Sequence, residues 1–232
     1  MKQFRFLTMA ALIAFGSSVC AQNVITLDEM QAKKKQQPQQ QAVKEKVSNN
    51  NTSNDEAFST FFLQYNPSNL RVSYDGQSAS SGFTGFSLGY LYSNPISDPL
   101  YLEIGGALQY FFKSENIMGS DAKFSMLSVK IPVDVMYSFE ASDAVTIQPY
   151  AGIYGRVNLM AQTKIGDYKT NHFSKDDMGG DAWKRFQLGL HFGCKARFSE
   201  KFTAGIGYYF DLTKIAEHTT VNGFDITVGL NF

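Results

Sequence analysis

The chain has 232 residues, no net charge at pH 7 and 14% aromatic residues, with 20 Phe and 12 Tyr but a single Trp. A neutral chain creates no overall field that attracts nucleic acid, so we expect no nucleic-acid partner. Past the amino terminus, no apolar run reaches the roughly 18 residues that a membrane helix requires.

Residues 1–21 have the organisation of a secretory signal peptide. A basic start precedes an apolar run at residues 6–15 and then small residues, which predicts cleavage after Ala21. Lipidation of Cys20 is an alternative outcome. Cleavage would leave Cys194 as the single thiol, without a second cysteine for an internal disulfide or a metal site.

Residues 22–55 are rich in Gln, Lys and Asn and contain almost nothing that a core could bury. Such a tract cannot offset its conformational entropy by burial, so we predict a disordered polar periplasmic linker. It is either a plain spacer or a tail that contacts the cell wall or an envelope partner through Lys33 to Lys35.

From residue 56 onward, apolar and polar residues alternate in separate segments. In residues 202–211, for example, aromatic and aliphatic side chains occupy the even positions, while Thr, Gly, Tyr and Asp occupy the odd ones. This period of two is typical of strands with one apolar and one polar face. The eight predicted strands are residues 57–65, 83–92, 100–111, 124–139, 144–158, 184–198, 202–211 and 223–232.

The links between these segments alternate in length. Every second link is short (93–99, 140–143 and 199–201), and the others are longer (66–82, 112–123, 159–183 and 212–222). Outer-membrane barrels have short periplasmic turns, longer outer loops and, with an even strand number, both termini in the periplasm. The pattern therefore predicts an all-β fold, an eight-stranded antiparallel transmembrane β-barrel at residues 56–232. A soluble barrel of the lipocalin kind is the structural alternative, with its apolar face inward.

The last strand has its apolar residues on one face and ends on an aromatic residue. It resembles the carboxyl-terminal signal that outer-membrane barrels present to the barrel-assembly machinery. The residues of this predicted signal are Phe224, Ile226, Val228, Leu230 and Phe232. Aromatic residues also predict two belts, one at the periplasmic rim (Tyr92, Tyr137, Phe139, Phe198, Phe202 and Phe232) and one at the outer rim (Tyr65, Phe83, Tyr110, Phe124, Phe186, Phe210 and Phe224).

Strand parity places nine ionisable residues inside the predicted barrel. Eight strands enclose a lumen that side chains just fill, so buried charges there should pair. With His191 set aside there are four acids and four bases, which predicts a salt-bridged plug and no open pore. The nine residues are Glu103, Lys130, Asp134, Arg156, His191, Lys195, Arg197, Asp211 and Asp225.

Catalysis in this interior would depend on His191, which Asp211 or Asp225 could orient as a general base. No inward nucleophile stands out beside it, and a lone interior histidine is more often hydrogen-bonded filling. We therefore predict no enzyme, no catalytic residues, no cofactor and no metal. In the long loop, Asp176 and Asp177 are more typical of solvated acids than of a cation site.

Two stretches resemble a known family. Residues 127–137 (LSVKIPVDVMY) and 147–154 (IQPYAGIY) are similar to the fourth and fifth strands of the PorT-like outer-membrane β-barrel family of Bacteroidota, which show an Ile-Pro strand and then a Pro-Tyr-x-Gly strand. The resemblance covers residues 57–232 and implies an eight-stranded membrane barrel without catalytic residues. Pro132 and Pro149 are expected at bulges or strand ends, because a closed barrel has no edge for a missing N–H.

The predicted role in the bacterial outer membrane is structural or interactive: display of surface loops, or an accessory subunit of an envelope or secretion complex. The alternatives are a membrane-embedded barrel enzyme acting on lipid or peptide, and a small-solute channel. Expected partners are outer-membrane lipid, the barrel-assembly machinery during biogenesis, and an envelope protein that contacts loop 159–183 or tail 22–55. Loops on a rigid scaffold carry most recognition, which favours the loop.

Overall fold

A computed structural model describes residues 56–75, 77–117 and 120–232. The predicted signal peptide and the predicted linker at residues 22–55 lie outside this part of the chain. Among the described residues, no helix has the length and hydrophobicity that crossing a membrane requires. The elements are β1 (Phe58–Tyr65), β2 (Ser68–Tyr74), β3 (Gln77–Ser97), β4 (Leu100–Ile117), β5 (Ser120–Tyr137), β6 (Phe139–Ser142), β7 (Val145–Ile165), β8 (Tyr168–Asn171), α1 (Lys175–Met178), β9 (Phe186–Phe198), β10 (Phe202–Asp211) and β11 (Thr219–Asn231).

The antiparallel sheet closes on itself. Both β1 and β2 pair with β11 on one side and with β3 on the other. Hydrogen bonds continue between β1 and β2, because Asn66 exchanges backbone bonds of 2.8 and 3.0 Å with Gly85. β5 and β6 likewise both pair with β7. The ring is therefore β1/β2, β3, β4, β5/β6, β7, β9, β10 and β11, which confirms the predicted eight-stranded barrel.

The outer face of the ring is apolar. On β1, the outward residues Phe61 and Leu63 are 46% and 49% exposed, whereas the inward residue Thr60 is 4% exposed. This polarity is the reverse of a soluble barrel that encloses an apolar ligand, and it matches a barrel surrounded by lipid. On the last strand, the outward residues Phe224, Ile226, Val228, Leu230 and Phe232 are 48–75% exposed.

Strands extend further than predicted at one end of the barrel. The predicted loop at residues 66–82 is mostly a β2–β3 hairpin in which Tyr74 pairs with Gln77. The predicted loop 159–183 begins with the end of β7, which returns as β8. The prediction of long loops here was wrong. A strand that extends beyond the apolar zone keeps its backbone hydrogen bonds but does not need an apolar face, so its sequence does not alternate.

The two ends of the barrel differ in their connections. The terminal end contains the links around residues 98–99, 143–144 and 199–201 and the carboxyl terminus. The loop end contains the β2–β3, β4–β5 and β7–β8 hairpins and the longer segments 172–185 and 212–218.

Two prolines occupy gaps in the ladder. Pro132 lies on β5 where the β4–β5 pairing is interrupted for two residue pairs opposite Gly105 and Gly106. Pro149 lies on β7 opposite the break between β5 and β6. The prediction of bulges or strand ends was wrong, because both prolines lie inside their strands without a register shift. The reason for it holds, since both sit where a neighbouring ladder is already broken.

Two residues of the predicted belts lie inside the barrel instead. Phe83 packs on Phe111 at 5.3 Å between ring centroids, and Phe124 packs on Trp183 at 6.2 Å. Phe83 shares the parity of inward Ser87, so strand periodicity opposes its belt placement. The remaining belt residues lie at outward positions of their strands, and all of them are exposed except Phe210, which is half-buried.

Candidate functional site

The barrel interior contains all nine ionisable residues that strand parity places there. Each is at most 7% exposed. Arg156, on β7, is fully buried, and in the sheet it is paired with Gln187 of β9. The nine buried residues are Glu103, Lys130, Asp134, Arg156, His191, Lys195, Arg197, Asp211 and Asp225.

Each of the four interior carboxylates contacts a basic side chain. None of these pairs joins strands that are neighbours in the ring, so they cross the lumen. The strands of Lys130 and Asp225, β5 and β11, lie opposite each other in the order of eight. The four pairs are Lys130 with Asp225 at 3.1 Å, Arg156 with Asp211 at 2.5 Å, His191 with Asp134 at 2.6 Å, and Lys195 with Glu103.

The predicted partner of His191 was wrong. Its Nε2 lies 2.6 Å from Asp134 Oδ1, outside the geometry of a hydrogen bond, rather than beside Asp211 or Asp225. Parity shows which residues face the lumen, but not which of them meet across it. The two carboxylates expected at His191 instead accept from basic residues on β5 and β7.

The four acids are also not paired with the four bases of the prediction, which included Arg197 and set His191 aside. Because His191 contacts the fourth carboxylate, Arg197 has no carboxylate within 4 Å in the part of the chain that the structure describes. Its guanidinium lies 4.5 Å from the centroid of the Phe58 ring. The amines of Lys130 and Lys195 also lie over rings, 4.7 Å from Tyr154 and 4.8 Å from Tyr150. Such cation–π contacts help to hold the cations in the buried interior.

Uncharged residues complete the interior network. The Asn66 amide donates to Asp225 at 2.6 Å, Ser87 donates to Asn66 at 2.5 Å, and Gln109 donates to Ser87 at 3.1 Å. Sequence reasoning missed Asn66 because Asn-Pro reads as a turn. Its parity with Gln64 and Thr60 was the signal that could have placed it on the inner face.

A small cavity lies at the centre of this network. Its volume is about 20 Å³, and its lining includes His191, Asp134, Lys130 and Lys195. A cavity of this size holds about one water molecule. The interior around His191 therefore offers no space for a lipid or peptide substrate.

Apolar side chains close the lumen at the loop end. We call this cluster the mouth plug. Segments 172–185 and 212–218 fold over it. The Trp183 N–H donates to the His172 carbonyl at 2.8 Å within the first segment, and the Lys184 N–H donates to the Ile215 carbonyl at 2.7 Å between the two. The buried residues of the mouth plug are Leu70, Phe83, Phe111, Met126, Tyr154, Ala161, Trp183, Tyr209, Ile215 and Val221.

His172, in the loop that follows β8, is 3% exposed and belongs to this closure. Its ring stacks on Trp183 at 4.2 Å, and its Nε2 lies 2.8 Å from the Thr163 hydroxyl. Its Nδ1 has no hydrogen-bond partner among the described residues. Burial disfavours the charged imidazolium and lowers the pKa of His172 to about 4, so the ring is neutral at physiological pH.

The acidic stretch of the long loop forms the short helix α1. Ser174 caps the helix by accepting the Asp177 N–H at 3.3 Å, and the Asp177 carboxylate accepts the Asn171 N–H at 3.0 Å. Across residues 56–75, 77–117 and 120–232, no group of three or more His, Cys, Asp or Glu side chains is arranged to hold a metal ion.

Solved structures of small membrane barrels resemble the chain. Ail, the attachment invasion locus protein of Yersinia pestis, is 14% identical over 76% of this chain and 99% of its own, with a TM-score of 0.43. Neisserial surface protein A is 18% identical over 74% and 95%, with a TM-score of 0.41. The outer membrane enzyme PagL is 13% identical over 73% and 97%, with a TM-score of 0.43. At these values the likeness carries no functional inference.

A comparison with curated proteins gives no match. The model of a protein family, in contrast, matches residues 42–217, which include most of the closed ring. Its description agrees with a ring of eight antiparallel strands that is apolar outside and polar inside. The chain belongs to the family of the outer membrane protein beta-barrel domain.

Proposed function

We propose that this outer-membrane barrel acts through its surfaces, in a structural or interaction role. It displays its loop end to an envelope protein, as a surface element or as an accessory subunit of an envelope or secretion complex. The observation that carries this proposal is the closed lumen. Three ion pairs, the contact of His191 with Asp134, the mouth plug and a central cavity of about 20 Å³ leave the interior no room for a substrate.

The same observation disfavours the two other roles. A channel needs a continuous wet path, whereas apolar residues close the loop end and a second apolar cluster of Tyr101, Met136 and Tyr150 lies nearer the terminal end. An enzyme needs an accessible base, whereas His191 is 5% exposed. We expect His191→Ala to leave any envelope phenotype of the wild type unchanged.

The short turns of the terminal end support a periplasmic position for that end, for the carboxyl terminus and for the tail at residues 22–55. The loop end then faces the cell exterior. Its segment 172–185 is held in place by the mouth plug, which makes it a rigid platform for recognition. Tail 22–55 is the second region that could contact a partner.

The Ile-Pro and Pro-Tyr-x-Gly stretches support a PorT-like relationship within the family. The last strand supports recognition by the barrel-assembly machinery, because its five apolar residues face outward where an assembly factor could read them.

In-cell photo-cross-linking tests the interaction role. A photoreactive residue replaces Tyr168, which is 75% exposed at the loop end, Gln37 in the tail, or Glu200 in a turn of the terminal end. We expect one reproducible protein adduct from the loop position, and none from Glu200. Replacing residues 173–181 with a Gly-Ser linker should abolish co-purification of that protein, while heat-modifiable migration shows that the barrel still folds. Absence of an adduct from both Tyr168 and Gln37 would contradict the proposal.

A further inference from the structure

Three lysines stand in a row on the outer face near the loop end. The strand register pairs Lys123 of β5 with Lys164 of β7, and Lys164 with Lys169 of β8. All three side chains are exposed. Side chains that face each other across strands have Cβ atoms about 4.5–5.5 Å apart, and like charges at that distance destabilise the sheet. A row of three is therefore costly unless an anion neutralises it.

No carboxylate provides this neutralisation. Within the described ranges, no acidic side chain lies within 4 Å of the amines of Lys123, Lys164 or Lys169. Asp121 lies two residues along β5 and accepts a hydrogen bond from Asn116 at 3.4 Å. What distinguishes these lysines is that they face one another across neighbouring strands without a carboxylate between them.

A pocket of about 400 Å³ adjoins the row and adds a fourth cation, Arg185. The Arg185 guanidinium lies 4.1 Å from the centroid of the Phe173 ring and donates to the Leu159 carbonyl at 2.8 Å. Leu159 lies at the irregularity of β7 where the register with β5 shifts, which leaves this carbonyl available. The contacts fix the guanidinium at the edge of the pocket before any ligand binds.

The pocket is amphipathic. Leu159, Met160 and Phe173 supply apolar walls, and Lys169 and Arg185 supply positive charge. The Asp177 carboxylate also lines it, but that group accepts the Asn171 N–H. With the lysine row beside it, positive charge exceeds negative charge at this site.

The site lies just beyond the apolar wall of the barrel. Outward residues of β5 are apolar from Tyr137 to Leu127, and Lys123 follows four residues later, about 13 Å along a strand. The region between hydrocarbon and water is several ångströms thick on each side of a bilayer, and a lysine stem can bend back towards it. The cations are thus within reach of lipid head groups.

We propose that Lys123, Lys164, Lys169 and Arg185, the cationic ridge, bind the phosphate-bearing head group of a membrane lipid. The acyl chains of that lipid lie against the apolar wall below, near Leu159 and Leu127. A lipid fits better than an acidic protein because the ridge continues directly into this wall and into a pocket with apolar sides. The inference is independent of the protein partner proposed above.

Lipid retention tests the ridge. The full chain, in nanodiscs of equimolar cardiolipin and phosphatidylcholine, is transferred to dodecyl maltoside, and mass spectrometry quantifies the lipids that remain bound. Wild type should retain cardiolipin over phosphatidylcholine by about fivefold or more, because about 1 kcal/mol from a single cation near a phosphate already gives a factor of about five. In the variant K123Q/K164Q/K169Q the ratio of retained cardiolipin to phosphatidylcholine should fall close to one. It should stay there when R185Q is added.

The matched control is K175Q/K184Q/K214Q, which removes three exposed lysines of the loop end outside the ridge. It should keep the wild-type ratio, and heat-modifiable migration of each variant shows that the barrel is folded. Equal loss in both triple variants would overturn the ridge, because the effect would then follow total charge. Displacement of cardiolipin by excess inorganic phosphate would assign an anion site rather than a lipid site. Displacement by polyglutamate would assign an acidic protein, and either result also overturns the proposal.

Discussion

Glycine on the inner face leaves the room that large interior side chains occupy. A Cβ atom at Gly189 would overlap the Tyr154 ring and lie 2.6 Å from the Phe210 carbonyl oxygen, whereas at Gly106 it would meet nothing within 4 Å. Gly189→Ala should lower the free energy of unfolding by about 2 kcal/mol through overpacking. Gly106→Ala should lower it little or not at all. Urea unfolding in lipid vesicles, followed by the fluorescence of the single Trp, compares them, and equal stabilities would contradict this account.

The buried ion pairs predict a second effect at this scale. Asp211→Asn removes the charge that faces Arg156, and both side chains of that pair are fully buried. An uncompensated buried charge costs about 3–5 kcal/mol, so this variant should unfold at much lower urea. Glu115→Gln is the matched change in a pair whose side chains are 15% and 28% exposed, and it should cost less than about 1 kcal/mol. A loss of unfolding free energy in Asp211→Asn as small as that in Glu115→Gln would show that Arg156 finds another partner.

His172 makes the mouth plug sensitive to acid. Its pKa is about 4 in the closed loop and 6.5 when the loop is open, so the open state binds more protons between these values. The closed loop is at full stability above pH 6.5 and loses stability as the pH falls towards 4. Acrylamide quenching of Trp183 should therefore increase over that range. In His172→Gln the quenching should not change with pH, and an unchanged pH response in this variant would assign the effect to another group.

At the scale of elements, the alternation of residues predicted the fold because lipid outside and a polar lumen inside impose a period of two. It placed every interior charge on the inner face, from Glu103 on β4 to Asp225 on β11. It did not predict the partner of His191, since partners meet across the lumen between strands that no sequence pattern relates. It ended the first strand at Tyr65, where β1 ends, but it did not predict that the ladder continues through Asn66 into β2, because Asn66-Pro67 resembles a turn.

The seam between the first and last strands gives a prediction for β11. Phe232 exchanges backbone hydrogen bonds of 2.9 and 3.0 Å with Ser59, and its side chain is 75% exposed. If that side chain belongs to the assembly signal, Phe232→Ala should reduce the amount of folded protein in the outer membrane without unfolding barrels that have formed. Phe202→Ala, an outward aromatic on the same rim, is the control. Cell fractionation with heat-modifiable migration measures both, and equal effects would argue for a general loss of the belt.

At the scale of the whole molecule, the lumen is closed at three levels. The mouth plug lies at the loop end, the ion pairs cross the middle, and Tyr101, Met136 and Tyr150 pack nearer the terminal end. Arg197 lies on the ring of Phe58, which also packs against this last cluster. Because the levels are separate, opening one of them leaves the others in place.

This layered closure predicts that the purified barrel conducts no steady ion current in a planar bilayer. Trp183→Ala should loosen the mouth plug and increase loop motion, yet the current should stay at the baseline, because Lys130 and Asp225 still bridge opposite strands at 3.1 Å. A double change, Lys130→Ala with Asp225→Ala, removes that bridge without leaving an unpaired charge, and it should also fail to conduct while the two apolar clusters remain. Stable conductance steps from the wild type would show an open lumen and would support a channel function instead.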